Sequence, residues 1–132
     1  MLNISTFFYR LYHYRLKLLI RFLPPPSPIL FRGDNALEDL IAHLQSNKLN
    51  RLLLVTDKQI YTLGLHRELS DQLAKHSIAP ELYSDVEPNN PIDNIEQALN
   101  HYQQTQCIGI ICLGGGPVME RGKCVGARAA RP

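Results

Sequence analysis

The run Ile108-Gly109-Ile110-Ile111-Cys112-Leu113 carries no charged side chain and passes directly into Gly114-Gly115-Gly116-Pro117. A short apolar run bounded by glycines is the pattern of a strand in a sheet covered on both faces. Glycines at its carboxyl end let the backbone approach an anion with no Cβ in the way. Proline is tolerated in the first turn of a helix, so Pro117 marks where a helix begins. The free amides of such a helix start, together with the positive end of its dipole, form an anion site. The segment therefore predicts a buried strand, a glycine turn that cradles phosphate through Gly114, Gly115 and Gly116, and a following helix. A tight strand-to-helix turn without ligand is the competing explanation. Three successive glycines exceed what a turn needs, which favours the anion site.

The rest of the chain must build a sheet around that strand. At 132 residues it suits one domain, and 45% hydrophobic with 20% charged residues lies in the ordinary soluble range. The net charge of +2 is too small to argue for nucleic acid as a partner. The charge is unevenly placed, since Arg10, Arg15, Lys17, Arg21 and Arg32 precede the first acid, Asp34. Within residues 4–22, Phe8, Leu11, Tyr12, Leu16, Leu19 and Phe22 recur near the spacing of one helical face, and Pro24-Pro25-Pro26-Ser27-Pro28 ends that pattern. Residues 1–28 are thus expected to be a basic amphipathic helix with a proline linker, and residues 29–132 an α/β domain. Three roles are open to the front helix: docking on protein, which is favoured, lying on a membrane surface, or targeting. Its charges interrupt every apolar run well short of the ~20 residues of a membrane span. Three cysteines, odd in number and without paired spacing, suit small buried hydrophobes in a reduced, cytoplasmic protein.

Elements alternate along the body. Ile29-Leu30-Phe31 reads as a short strand closed by Gly33. Asn35, or Asp34 before it, is placed to cap a helix over Leu37, Leu40, Ile41 and Leu44. Leu52-Leu53-Leu54-Val55 reads as a buried strand ending at Thr56-Asp57. A helical turn around Gln59 to Thr62, a helix from about Arg67 to His76, a strand at Leu82-Tyr83 and a helix from about Ile92 to Gln104 follow. Strand-helix alternation of this kind implies a Rossmann-like parallel sheet with flanking helices. Ligands of such sheets bind outside the carboxyl ends of the strands, so the loops at Thr56-Asp57-Lys58, Val86 to Pro91 and Gly114 to Pro117 are expected to converge. Asp57 there suits ribose hydroxyls and repels a 2′-phosphate. Equally, it suits a helix cap. The conventional dinucleotide fingerprint places its glycines after the first strand and its acid later, the reverse of the order found here.

That order resembles the amino-terminal nucleotide-binding domain of the iron-containing alcohol dehydrogenases. Leu53-Leu54-Val55-Thr56-Asp57-Lys58 with Leu63-Gly64-Leu65 is similar to the family's strand, ribose-binding acid and glycine. Asp85-Val86-Glu87-Pro88-Asn89 is similar to its next loop, and Gly114-Gly115-Gly116 with Val118-Met119 and Lys123 to its phosphate turn. The resemblance implies an oxidoreductase that transfers hydride between an alcohol or aldehyde and NAD, using iron or another divalent metal. It assigns cofactor binding to Asp57, Asn89, Gly114, Gly115, Gly116 and Lys123. The chain departs from the pattern at Pro117, where the family has serine, at Glu120, Arg121 and Gly122, and at Asn90-Pro91. Proline at that place removes a hydroxyl and an amide.

Family members also carry a helical domain whose acid and histidines hold the metal, and no segment here resembles it. His13, His43, His66, His76 and His101 lack ligand spacing and are expected at helix ends or in solvent. The expectation is a truncated cofactor half, without metal ligands, inactive alone and open to self-association. The alternative is a non-catalytic nucleotide-binding or interaction module.

Overall fold

A computed structural model describes residues 28–86 and 92–130. The chain divides into two compact units, Met1–Leu30 and Phe31–Pro132. The expected front helix and proline linker lie outside the described residues, as do Asn89 and Pro91.

The second unit runs α1 (Ala36–Ser46), β1 (Arg51–Asp57), α2 (Lys58–Leu63), α3 (His66–Lys75), β2 (Ala79–Val86), α4 (Ile92–Gln104), β3 (Gly109–Leu113) and α5 (Gly116–Ala129). The three strands form one parallel sheet in the order β2-β1-β3. This is the expected α/β architecture, and its layers follow from alternation along the strands. From β1, Leu53 and Val55 join Ala98 and Leu99 of α4 and Val118 and Val125 of α5 in one core. Leu52 faces the other way and joins Ile41 and Leu44 of α1 with Leu73 of α3. Central β1 is covered on both faces and paired on both edges, so Leu52, Leu53, Leu54 and Val55 are 1% exposed or less.

Several expectations need correction. Ile29-Leu30-Phe31 is not a strand. It has no ladder partner among the described residues, and Ile29 and Leu30 are exposed. Neither Asp34 nor Asn35 caps α1 through its side chain; Asn35 holds the cap position without a side-chain bond. The first turn closes on backbone instead, with Ala36 N donating to Gly33 O at 3.2 Å and Asp39 N to Asn35 O at 2.9 Å. The glycine-flanked strand β3 is only half-buried along its length, because it takes the edge of the sheet and β1 takes the centre. Cys107 precedes β3 and is buried in the core with Leu53 and Leu99, its Sγ 3.1 Å from Thr105 Oγ1, while Cys112 and Cys124 are half-buried.

Helix α5 approaches β3 closely because glycine stands at the contact. A Cβ on Gly122 would lie 2.1 Å from Cys112 Sγ, far inside van der Waals contact. Burial there pushes the Cys112 thiol up to about 11, against a smaller opposing effect of its hydrogen bond with the Gly122 backbone.

Candidate functional site

Parallel register brings the strand ends together. Thr56 pairs with Leu113 across β1 and β3, and Asp57 pairs with Val86 across β1 and β2. Between Val55 and Asp57 the β1–β2 register slips, an irregularity of the bulge type often found beside functional sites. The chains leaving β1, β2 and β3 therefore start side by side, as expected.

Thr56 fixes the lateral position of two of them. Its hydroxyl, fully buried, donates to Leu113 O at 2.7 Å, so the residue before Asp57 is tied to the residue before Gly114. No pattern in the sequence singled out Thr56 for this role; the one available cue is a hydroxyl at the end of an apolar strand. A second tie secures β2. Asn94, buried in the first turn of α4, donates from Nδ2 to Asp85 O at 2.7 Å, while Tyr83 Oη donates to Asn94 O at 3.2 Å. These bonds hold the two ends of the 87–91 connection.

Asp57 does what its competing explanation predicted. It is the N-cap of α2 in extended conformation, and Oδ1 accepts from Ile60 N at 2.8 Å. A carboxylate has two oxygens, and among the described residues no hydrogen bond to the second is found. The cap therefore fixes the group and leaves one oxygen to accept from a ligand. Helix α2 ends at Gly64, whose left-handed φ of 72° closes the turn with Leu65 N donating to Ile60 O.

The glycines after β3 divide their work. Gly114 has φ 156°, and a Cβ on it would meet Val118 Cγ2 at 2.6 Å, so glycine is needed for α5 to fold back over the strand end. Gly115 is the N-cap, and a Cβ there would touch only Pro117 Cδ at 4.0 Å; beside Gly116 there is open space. The start of α5 is thus exposed, and the amides of Gly116 and Val118 have no intrahelical acceptor. Pro117, in the first turn as expected, withholds the amide between them. Lys123 is exposed two turns further along α5, about 10 Å from its start.

Arg121 is fully buried, on the α5 face that carries Val118 and Val125, and His66 opens α3, a helix-end place as expected, but is buried there. No group of three or more His, Cys, Asp or Glu suited to a metal occurs among the described residues. Two open grooves are present, of about 400 Å³ between β2 and α4, reaching Asp85 near the end of β2, and about 470 Å³ between α1 and α3.

Comparison with known proteins decides the ancestry of this arrangement. A family model of iron-containing alcohol dehydrogenases matches residues 26–131. The chain belongs to that family. Alcohol dehydrogenase 4 of Schizosaccharomyces pombe is 31% identical over 91 residues, 69% of this chain and 21% of that protein. Choline dehydrogenase of Bacillus subtilis is 28% identical over 101 residues, 76% of this chain and 25% of that one. A 1,3-propanediol oxidoreductase structure superposes with a TM-score of 0.70 at 26% identity, covering 79% of this chain and 30% of the other. NADH-dependent butanol dehydrogenase A of Thermotoga maritima shares the fold, with a TM-score of 0.68 at 22% identity over 83% of this chain and 27% of that one. The chain spans about a quarter of the length of the curated relatives it matches. Among the described residues no helix is long and apolar enough to cross a membrane.

Proposed function

We propose that this chain is the cofactor-binding part of an NAD-dependent alcohol dehydrogenase, holding the dinucleotide across the carboxyl ends of β1 and β3. The observation that carries this reading is the Thr56–Leu113 bond. It sets a half-free carboxylate beside an uncovered helix start. In this reading the pyrophosphate takes the amides of Gly115, Gly116 and Val118, with Gly114 making the turn that presents them. Asp57 accepts from the ribose hydroxyls and Lys123 adds positive potential from further along α5, while Asn89, outside the described residues, is kept as a cofactor contact on the family resemblance alone. NAD supplies the hydride acceptor when bound. The chain's own part is to bind and orient it.

Among its relatives, an NAD-dependent methanol dehydrogenase of Bacillus methanolicus is 21% identical over 112 residues, which supports NAD as the dinucleotide. The iron of the family name is not matched by these residues, since the donors for it are not assembled among them. The reading accordingly assigns the described residues the cofactor side of the reaction. Alcohol turnover by this chain alone is not expected, and Pro117, by removing one amide, makes cofactor binding weak.

Asp57→Ser separates the two uses of the carboxylate, because serine keeps the cap and loses the charge. Titration of the chain with NAD and NADP should show NAD preferred, and Asp57→Ser should narrow that preference while the urea midpoint holds. Equal affinity of the unaltered chain for both cofactors would remove Asp57 from the ribose role.

A further inference from the structure

Four residues beyond Asp57, one helical turn along α2, Tyr61 stacks on the imidazole of His66 with ring centroids 5.0 Å apart and planes 16° from parallel. Gly64 makes the left-handed reversal that folds His66 back beneath Tyr61. The two rings differ sharply in exposure: His66 is 9% exposed and Tyr61 46%. The imidazole therefore backs the phenol ring, which remains open to solvent on its other side. His66 Nδ1 is buried with no hydrogen-bond partner. Packing against the aromatic ring holds it, at the expense of a polar atom left unsatisfied. Leu63 and Leu65 are also exposed, at 66% and 61%, so the whole α2–α3 corner presents apolar surface to water. That is an unusual use of large side chains directly beside a polar strand end.

We propose that the exposed face of Tyr61 is the stacking platform for the purine base of the bound nucleotide, with His66 as the rigid backing that fixes its plane. The inference rests on the cofactor reading above and adds a residue to it. Asp57 and Tyr61 are separated along α2 by about one helix pitch, ~5 Å. A ribose held by its hydroxyls carries its base to a comparable distance. A flat ring with one face backed loses little freedom on binding, and stacking accepts any purine without hydrogen-bond readout. The same geometry has a simpler consequence, a staple between α2 and α3, which predicts an effect on stability and none on nucleotide affinity.

The test is titration of the full chain with AMP and with NAD, comparing Tyr61→Phe, Tyr61→Leu and Tyr61→Ala, each with its urea midpoint. Tyr61→Phe should bind within about twofold of the parent, whereas Tyr61→Leu and Tyr61→Ala should bind AMP about tenfold more weakly, the effect of one lost base–aromatic stack. Proton NMR of AMP should show upfield shifts of the adenine protons on binding to the parent and to Tyr61→Phe, and loss of those shifts with Tyr61→Leu, which keeps apolar bulk. AMP affinity unchanged in Tyr61→Ala, with NAD still bound, would leave the cofactor reading standing and overturn the platform. Failure of the parent chain to bind either nucleotide at millimolar concentration would overturn both.

Discussion

Gly122→Ala sets two known effects against each other, and the structure says which wins. Alanine in place of glycine in a helix interior is worth about 1 kcal/mol in propensity. Against that gain, the new Cβ would sit 2.1 Å from Cys112 Sγ, with Ile110 Cγ2 at 3.7 Å and Cys112 Cβ at 3.8 Å closing the space around it. Normal carbon contacts begin near ~3.5 Å, so helix α5 must lift from β3 or Cys112 must leave its rotamer. Overpacking of this kind costs about 1–3 kcal/mol and rotamer displacement about 1 kcal/mol. The net expectation is destabilisation by about 1–3 kcal/mol, roughly 4–15 °C in the thermal midpoint of a domain this size. Urea unfolding followed by circular dichroism measures it. Repeating the substitution in Cys112→Ala removes the obstructing sulfur, and there Gly122→Ala should become neutral or stabilising. A coupling between the two sites below about 0.5 kcal/mol, or a single variant as stable as the parent, would refute the close-approach argument.

Three further outcomes follow from the same geometry. Thr56→Val should cost about 1–3 kcal/mol, because it strips the half-buried Leu113 carbonyl of the fully buried Thr56 donor, while Thr56→Ser should recover much of the loss; urea midpoints decide. The Cys112 thiol ionises near 11 when folded and near 9.0 when free. Between those pH values the unfolded chain releases a proton the folded chain keeps, so stability should fall as pH rises through that window, and Cys112→Ala should flatten the decline. Among the described residues, the half-buried strand β3 pairs only with β1 and carries no charge or proline, so its other edge offers unpaired backbone. The chain alone should therefore self-associate in analytical ultracentrifugation, and Ile108→Lys, at a position 51% exposed beside that edge, should shift it toward monomer; identical sedimentation of the two would count against edge pairing.

The elements from α1 to α5 were legible in the sequence because periodicity and punctuation agreed, whereas the apolar Ile29-Leu30-Phe31 resembles a strand and is none. The helix expected from about Ile92 to Gln104 has those bounds, and the order of strands and helices followed from apolar runs separated by turn residues. Position within the sheet was not legible. The glycine-flanked strand and Leu52 to Val55 look equally apolar, and only the crossover connections decide that β1 takes the centre and β3 the edge. Side chains that act across the fold were also hidden. Thr56 and Asn94 are ordinary polar residues until Leu113, 57 residues away, and Asp85, across the connection from β2 to α4, are brought alongside them. Asp57 shows the opposite case: both of its uses were visible beforehand, and the bond to Ile60 N establishes the cap while leaving one carboxylate oxygen without a protein donor. Asn35 failed as a side-chain cap because Gly33 lets the backbone close the turn unaided.

Amide chemical shifts of the isotopically labelled chain, recorded during titration with NAD, report where a nicotinamide dinucleotide sits. Binding at the strand ends should give saturable shifts concentrated at Thr56 to Tyr61 and at Gly114 to Met119, with Gln97, Asn100 and His101 of the β2–α4 groove unmoved. Shifts that gather instead around Gln97, Asn100 and His101, or no shifts at millimolar NAD, would contradict it.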